Sequence, residues 1–227
     1  MIARTSQVLI AAAMGAALLA GGGLWLERSN ASSGLSLAAV AQEAGAQPDA
    51  ADVLPDMVMG EASAPITVIE YASYTCSHCA RFHDEVFPRL KAEYIDSGQV
   101  KFILREVYFE KFGLWAGMLA RCGGEDKYYP LSGMIFHDQR AWIGEGTEAS
   151  IAEGLRKQGR KAGLTPERIE ECLADADLAR SLVTTYQATA SADEIDATPT
   201  FIINGEKYSN MPWTELKKVI DEKLGAL

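Results

Sequence analysis

The sequence predicts an α/β fold, a small mixed sheet flanked by helices, with an all-helical insertion between its two halves. Three observations predict it. An alternating apolar run over residues 66–71 feeds into Cys76-Ser77-His78-Cys79 and an amphipathic helix pattern, and a second apolar strand follows over 100–104. The pattern from about 110 to 192 is helical. A last apolar strand over 201–203 then ends in Asn204-Gly205 and is followed by a closing helix.

Residues 56–60 form a short apolar run that reads as an edge strand, and Glu61-Ala62-Ser63-Ala64-Pro65 as a turn. The strand over 66–71 is mostly apolar, which suits burial on both faces of a sheet. After the two cysteines, His83, Val86, Phe87, Leu90 and Tyr94 recur every three or four residues and make one helical face. Pro88 lies inside that helix, so a kink is expected there. Ser97-Gly98 ends it, and Val100, Phe102 and Leu104 alternate with Lys101, Ile103 and Arg105 as a strand. Together these pieces predict a right-handed βαβ unit with the cysteines at the carboxyl end of its first strand.

The helical section is punctuated by Gly123-Gly124, Pro130, Gly144-Glu145-Gly146 and Gly163. Thr165-Pro166 reads as an N-cap followed by Pro at the first helical position, and Leu178, Leu182, Tyr186 and Ala190 mark its last helix. No repeat of fixed length appears, which predicts an insertion and not a solenoid. Asn204-Gly205 predicts a hairpin turn, and residues 212–224 a terminal helix. Tyr128, Tyr129, Trp142 and Trp213 read as packing residues, and His137 receives no role.

With 227 residues and 48% hydrophobic content, the chain can bury one sizeable core. A formal charge of −10 and the absence of a Lys/Arg cluster exclude a nucleic-acid partner. At the amino end, Arg4 precedes an uncharged apolar run from Val8 to Leu26, closed by Glu27-Arg28. Residues 1–28 therefore predict an export signal or a membrane anchor. About 19 apolar residues suffice to span a bilayer, while Ala39-Val40-Ala41 has the small-x-small form of a cleavage site. Either form places the rest of the chain in the periplasm, tethered to the inner membrane by residues 8–26 if the segment stays. Residues 29–55, rich in Ala, Ser, Gly and Gln, read as a flexible tether.

The Cys-x-x-Cys carries the chemistry. The free N–H groups and dipole of a helix start stabilise a thiolate at Cys76, and Cys79, one turn on, is placed to close a small disulfide ring with it. A structural zinc site is the competing reading, but it needs four ligands and the nearest candidates, His78 and His83, lie on the same short helix. His78, between the sulfurs, is expected to add a cationic or hydrogen-bonding partner to Cys76, unless it is a plain exposed residue. Glu70, a carboxylate in an apolar strand, is expected to relay a proton to and from Cys79, unless it faces solvent. Four cysteines allow one catalytic pair and one structural pair, Cys122 with Cys172, in an oxidising compartment; two separate buried thiols are the alternative.

Cys76-Ser77-His78-Cys79, the Thr198-Pro199 loop and the acid six residues before the first Cys together resemble the thioredoxin-like superfamily. Within it, they resemble the DsbA-type thiol:disulfide oxidoreductases of the bacterial cell envelope. The resemblance covers residues 56–225 and implies a thioredoxin-like fold with a helical insertion between its two halves. It differs in Ser77, where many such oxidases carry Pro, and in Ala197 before Thr198-Pro199, where Gly is frequent. It supports Glu70 as the acid that serves Cys79. It further implies a cis Thr198–Pro199 bond facing the dithiol, with the backbone before Pro199 binding an extended substrate peptide. It implies exported proteins with cysteines as substrates and a DsbB-like membrane partner as reoxidant. The sulfurs carry all the electrons, so no organic cofactor is required. The alternatives are an isomerase or reductase on the same scaffold, and an envelope chaperone or copper-binding protein using the same sulfurs as ligands.

Overall fold

The computed structural model describes residues 53–226. The export or anchor segment (1–28) and the tether (29–55), apart from its last three residues, lie outside the described residues. Those last three already belong to the folded unit: the Leu54 backbone N–H donates to Thr185 Oγ1 at 2.8 Å, and its side chain packs beside Leu182 and Val183. Among the described residues, no helix is long and apolar enough to cross a membrane.

Five strands form one mixed sheet: β1 (Val58–Met59), β2 (Ile66–Ala72), β3 (Val100–Glu106), β4 (Thr200–Ile203) and β5 (Glu206–Ser209), in the order β1-β3-β2-β4-β5. β2 runs parallel to β3, and β1–β3, β2–β4 and β4–β5 are antiparallel. Side chains alternate along β2, so Ile66, Val68, Glu70 and Ala72 share one face and all are buried, Ile66 and Val68 each stabilising the fold by about 1.5–3 kcal/mol. The other face is closed only towards its end, where Tyr71 meets Val107, Ala190 and Ile202. Asn204 and Gly205 have φ of 46° and 84°, the left-handed pair that a two-residue hairpin demands.

The helix after the dithiol is interrupted beside Pro88. It divides at Val86, between Pro88 and the Asp84 carbonyl that the proline ring crowds, into α1 (Ser77–Glu85) and α2 (Phe87–Leu90), followed by a π-helical turn over Lys91–Ile95. Pro88 thereby falls in the first turn of α2, where a missing N–H leaves nothing unpaired. Pro130, by contrast, does not interrupt α4 (Glu125–His137). It is exposed, so the carbonyl it leaves without a donor is open to water, while Tyr128 and Leu131 hold the helix to the core.

The insertion spans α3 (Lys111–Cys122), α4, α5 (Gln139–Ile143), α6 (Glu148–Lys161), α7 (Pro166–Leu173) and α8 (Ala176–Ala192). The chain closes with α9 (Trp213–Gly225). α3 is its centre, packing Leu114 and Met118 against Ala179 and Leu182 of α8. A disulfide joins Cys122, the last residue of α3, to Cys172 in α7. Thr165 caps α7 through its side chain, accepting from the Arg168 N–H. α4 lies against α1 and brings Tyr74 and Phe136 into ring contact at 4.7 Å, which couples the insertion to the dithiol.

Candidate active site

β2 ends at Ala72, and the next four residues turn the chain so that Cys76 becomes the N-cap of α1. Gln139 Nε2 holds this turn, donating to the carbonyls of Tyr74 at 2.8 Å and Cys76 at 3.0 Å. Tyr74 Oη meets Ser132 Oγ at 2.8 Å, and Thr75 Oγ1 donates to Glu110 at 2.8 Å. Three helices of the insertion therefore fix the loop that carries the sulfur.

Cys76 and Cys79 are free thiols, Cys76 half-buried and Cys79 fully buried. The Cys76 thiol is held down at about 5 by the Cys79 thiol, the Thr198 hydroxyl and the backbone N–H groups of Cys79 and His78, which together outweigh partial burial. Cys79 is pushed strongly upward by its bond to Cys76, by burial and by the nearby Glu70 charge. One sulfur is ready to attack, and its neighbour keeps its proton.

Opposite lies a cis Thr198–Pro199 bond. Cys76 Sγ is 3.5 Å from the Thr198 carbonyl oxygen, and Thr200 Oγ1 donates to Ala197 O at 2.8 Å, closing the turn. Two pockets flank the dithiol. One, of about 420 Å³, is lined by Ser77, Arg81, His137 and Arg140, and the other, of about 230 Å³, by His78, Phe82, Met211 and Pro212.

The His78 side chain is exposed, and its backbone N–H is among the groups that hold the Cys76 thiol down. Near a helix start the N–H groups point back along the axis towards the N-cap sulfur, whereas a side chain there projects sideways. Glu70 is fully buried, and the sequence reading missed its partner: His83 Nε2 lies 2.9 Å from Glu70 Oε2. A signal existed, since His83 stands on the apolar face of α1 four residues after Cys79. Gln139 had none, because more than sixty residues separate it from the turn it binds.

The family profile described as Thioredoxin matches residues 52–222, three quarters of the chain. The chain belongs to the thioredoxin family. Within it the protein is DsbA-like. It is 33% identical over 174 residues to a candidate protein-disulfide oxidoreductase of Rickettsia bellii, a match covering 74% of this chain and 64% of that relative, less than two thirds of its length. It is 29% identical over 179 residues to the disulfide bond formation protein D of Bacillus subtilis, covering 74% and 76%. The crystal structure of Wolbachia pipientis alpha-DsbA1 superposes with a TM-score of 0.71 at 29% identity, covering 76% of this chain and 93% of that one. The mixed sheet and the inserted helices are thus those of a DsbA-like thioredoxin fold.

The lowered Cys76 thiol makes a prediction about stability. Its ordinary value is 9.0, so in the reduced protein the thiolate adds its full stabilisation above that pH, and this shrinks as pH falls and is lost below about 5. Cys79 keeps its proton in folded and unfolded chains below its ordinary 9.0 and adds no slope there. Urea unfolding of reduced and oxidised protein should therefore show a stability difference, reduced minus oxidised, that rises with pH between about 5 and 9. A flat difference would show that Cys76 titrates normally.

Proposed function

We propose that this protein is a thiol:disulfide oxidoreductase of the cell envelope, working as a dithiol oxidase that introduces disulfides into exported proteins. The observation that carries this reading is the asymmetry of the two sulfurs, Cys76 stabilised as thiolate at the start of α1 and Cys79 buried and protonated. Stabilising the thiolate stabilises the reduced enzyme relative to its disulfide, which makes the disulfide an oxidant.

A substrate thiolate attacks Cys76 of the Cys76–Cys79 disulfide, and Cys79 leaves. A second substrate thiolate then attacks the substrate sulfur of the mixed disulfide, releasing Cys76 as thiolate and an oxidised product. The main chain at Thr198, fixed by cis Pro199, is where an extended substrate segment pairs as a transient strand, with main-chain bonds that tolerate many sequences. A DsbB-like membrane partner returns the dithiol to the disulfide. Placement in the periplasm rests on residues 1–28 of the sequence.

Equilibration with glutathione redox buffers, read by alkylation and mass spectrometry, tests the direction. The expected potential is near the strongly oxidising end, between about −180 and −120 mV. A value near that of thioredoxin, about −270 mV, would replace the oxidase reading with a reductase or isomerase on the same scaffold.

A further inference from the structure

Glu70 and His83 form a buried titratable pair beside Cys79. The His83 and Glu70 side chains are 4% and 0% exposed, and neither carboxylate oxygen nor His83 Nε2 makes an aligned hydrogen bond. A carboxylate in such a place is heavily penalised as a lone ion. His83 follows Cys79 by four residues, so imidazole and thiol share the buried face of α1, and Glu70 projects from β2 on the sheet face that forms the core with α1. The imidazole is held in plane by Phe136 of α4, stacked at 4.0 Å and 8°, and flanked by Phe82 and Phe87 at 5.6 and 5.0 Å.

We propose that His83 is a positioning residue for Glu70, holding the carboxylate for proton exchange with Cys79 and sharing the proton that Glu70 takes. This deepens the exchange reading above and rests on it. In the oxidised enzyme the pair carries one proton and is neutral. When a substrate thiolate bonds to Cys76, the Cys76–Cys79 bond breaks and its electron pair leaves on Cys79. The proton of the pair moves to that sulfur, leaving carboxylate and neutral imidazole, with net charge −1. The second substrate thiolate completes the product disulfide and frees Cys76 as thiolate, so the enzyme holds the two electrons lost by the substrate. On reoxidation by a disulfide-bearing partner, Cys79 returns its proton to the pair as it attacks the mixed disulfide.

Histidine suits this role because imidazole gains and loses a proton near neutral pH, whereas a lysine ammonium would remain charged through the cycle. Around the pair, α1 contributes Cys79 and α4 contributes Tyr129, a phenol pushed far above neutrality that donates to Met57 O at 2.6 Å. The register partners of Glu70 on the flanking strands are apolar, Leu104 of β3 and Phe201 of β4, as are the rings of Phe87 from α2 and Phe136 from α4 beside His83. Among the described residues, no other ion pair reaches Glu70 or His83.

The test is rapid-quench reduction of the oxidised full chain by a cysteine-containing peptide between about pH 5 and 9, corrected for the peptide's thiolate fraction. His83→Phe removes the imidazole, and His83→Gln keeps a neutral donor in case the first variant fails to fold. Mixed-disulfide formation should slow by about tenfold or more at neutral pH and lose its pH inflection. The Cys76 thiolate titration and, for His83→Gln, the urea midpoint should stay at wild-type values. Glu70→Gln should match this loss, and the double variant should be no slower than either single one. A wild-type pH profile in His83→Gln, losses that multiply in the double variant, or a loss that tracks the urea midpoint would each overturn the assignment. A wild-type enzyme that exchanges no thiols would instead sink the exchange reading itself.

Discussion

Replacing Cys76 with Ala is expected to abolish disulfide exchange, lowering the oxidation rate of a reduced substrate protein by at least about a thousandfold. Cys76 is the half-buried sulfur and Cys79 is fully buried, so no other sulfur of the pair is open to an incoming thiolate. The complementary variant, Cys79→Ala, cannot form the internal disulfide: its Cys76 thiolate can only attack a disulfide in a partner protein, displacing that partner's other sulfur, and no Cys79 thiol is present to release the mixed disulfide. It should accumulate mixed disulfides between Cys76 and cysteine-containing substrate proteins, visible as thiol-sensitive bands on non-reducing gels. Equal residual activity in both variants would show that the sulfurs are interchangeable and would overturn the asymmetry that the opposite shifts of their thiols imply. Loss in Cys76→Ala with no trapped species in Cys79→Ala would confine the protein to small-molecule thiols.

The double variant Cys122→Ala/Cys172→Ala should lose about 4 kcal/mol of stability in the chain-entropy account, because the cross-link closes residues 50 apart. It ties the end of α3, the centre of the insertion, to α7. The variant should unfold at a distinctly lower urea concentration, with the loss largely absent when wild type is first reduced at all four cysteines. Reduction under mild conditions should open the Cys76–Cys79 disulfide first, because a low-pKa thiol is a good leaving group and Cys76 is partly open to attack. An unchanged urea midpoint in the double variant would mean that the cross-link constrains neither state.

Local pattern determined much of this protein. Alternation in residues 66–71 and 100–104, the Cys-x-x-Cys between them and Asn204-Gly205 are signals whose physical cause lies within a few residues, and they delivered the strands, the helix start and the hairpin. The limits of the insertion, near 110 and 192, were also readable, since a change of period from two to 3.6 is local. Pro88 marked the interruption of the helix, and the break itself falls two residues earlier, at Val86, because the chain places a proline in a turn where its missing N–H costs least. Tertiary structure alone decided what surrounds the dithiol. Whether Glu70 met solvent or the core depended on a helix packing over β2, and its pairing with His83 depended on the ring of Phe136 arriving from α4. Gln139 reaches the catalytic turn from more than sixty residues away. The physical reason is one of range: backbone hydrogen bonding and side-chain periodicity are written in neighbouring residues, but the solvation and partners of a buried charge are set by whichever distant elements exclude water from it.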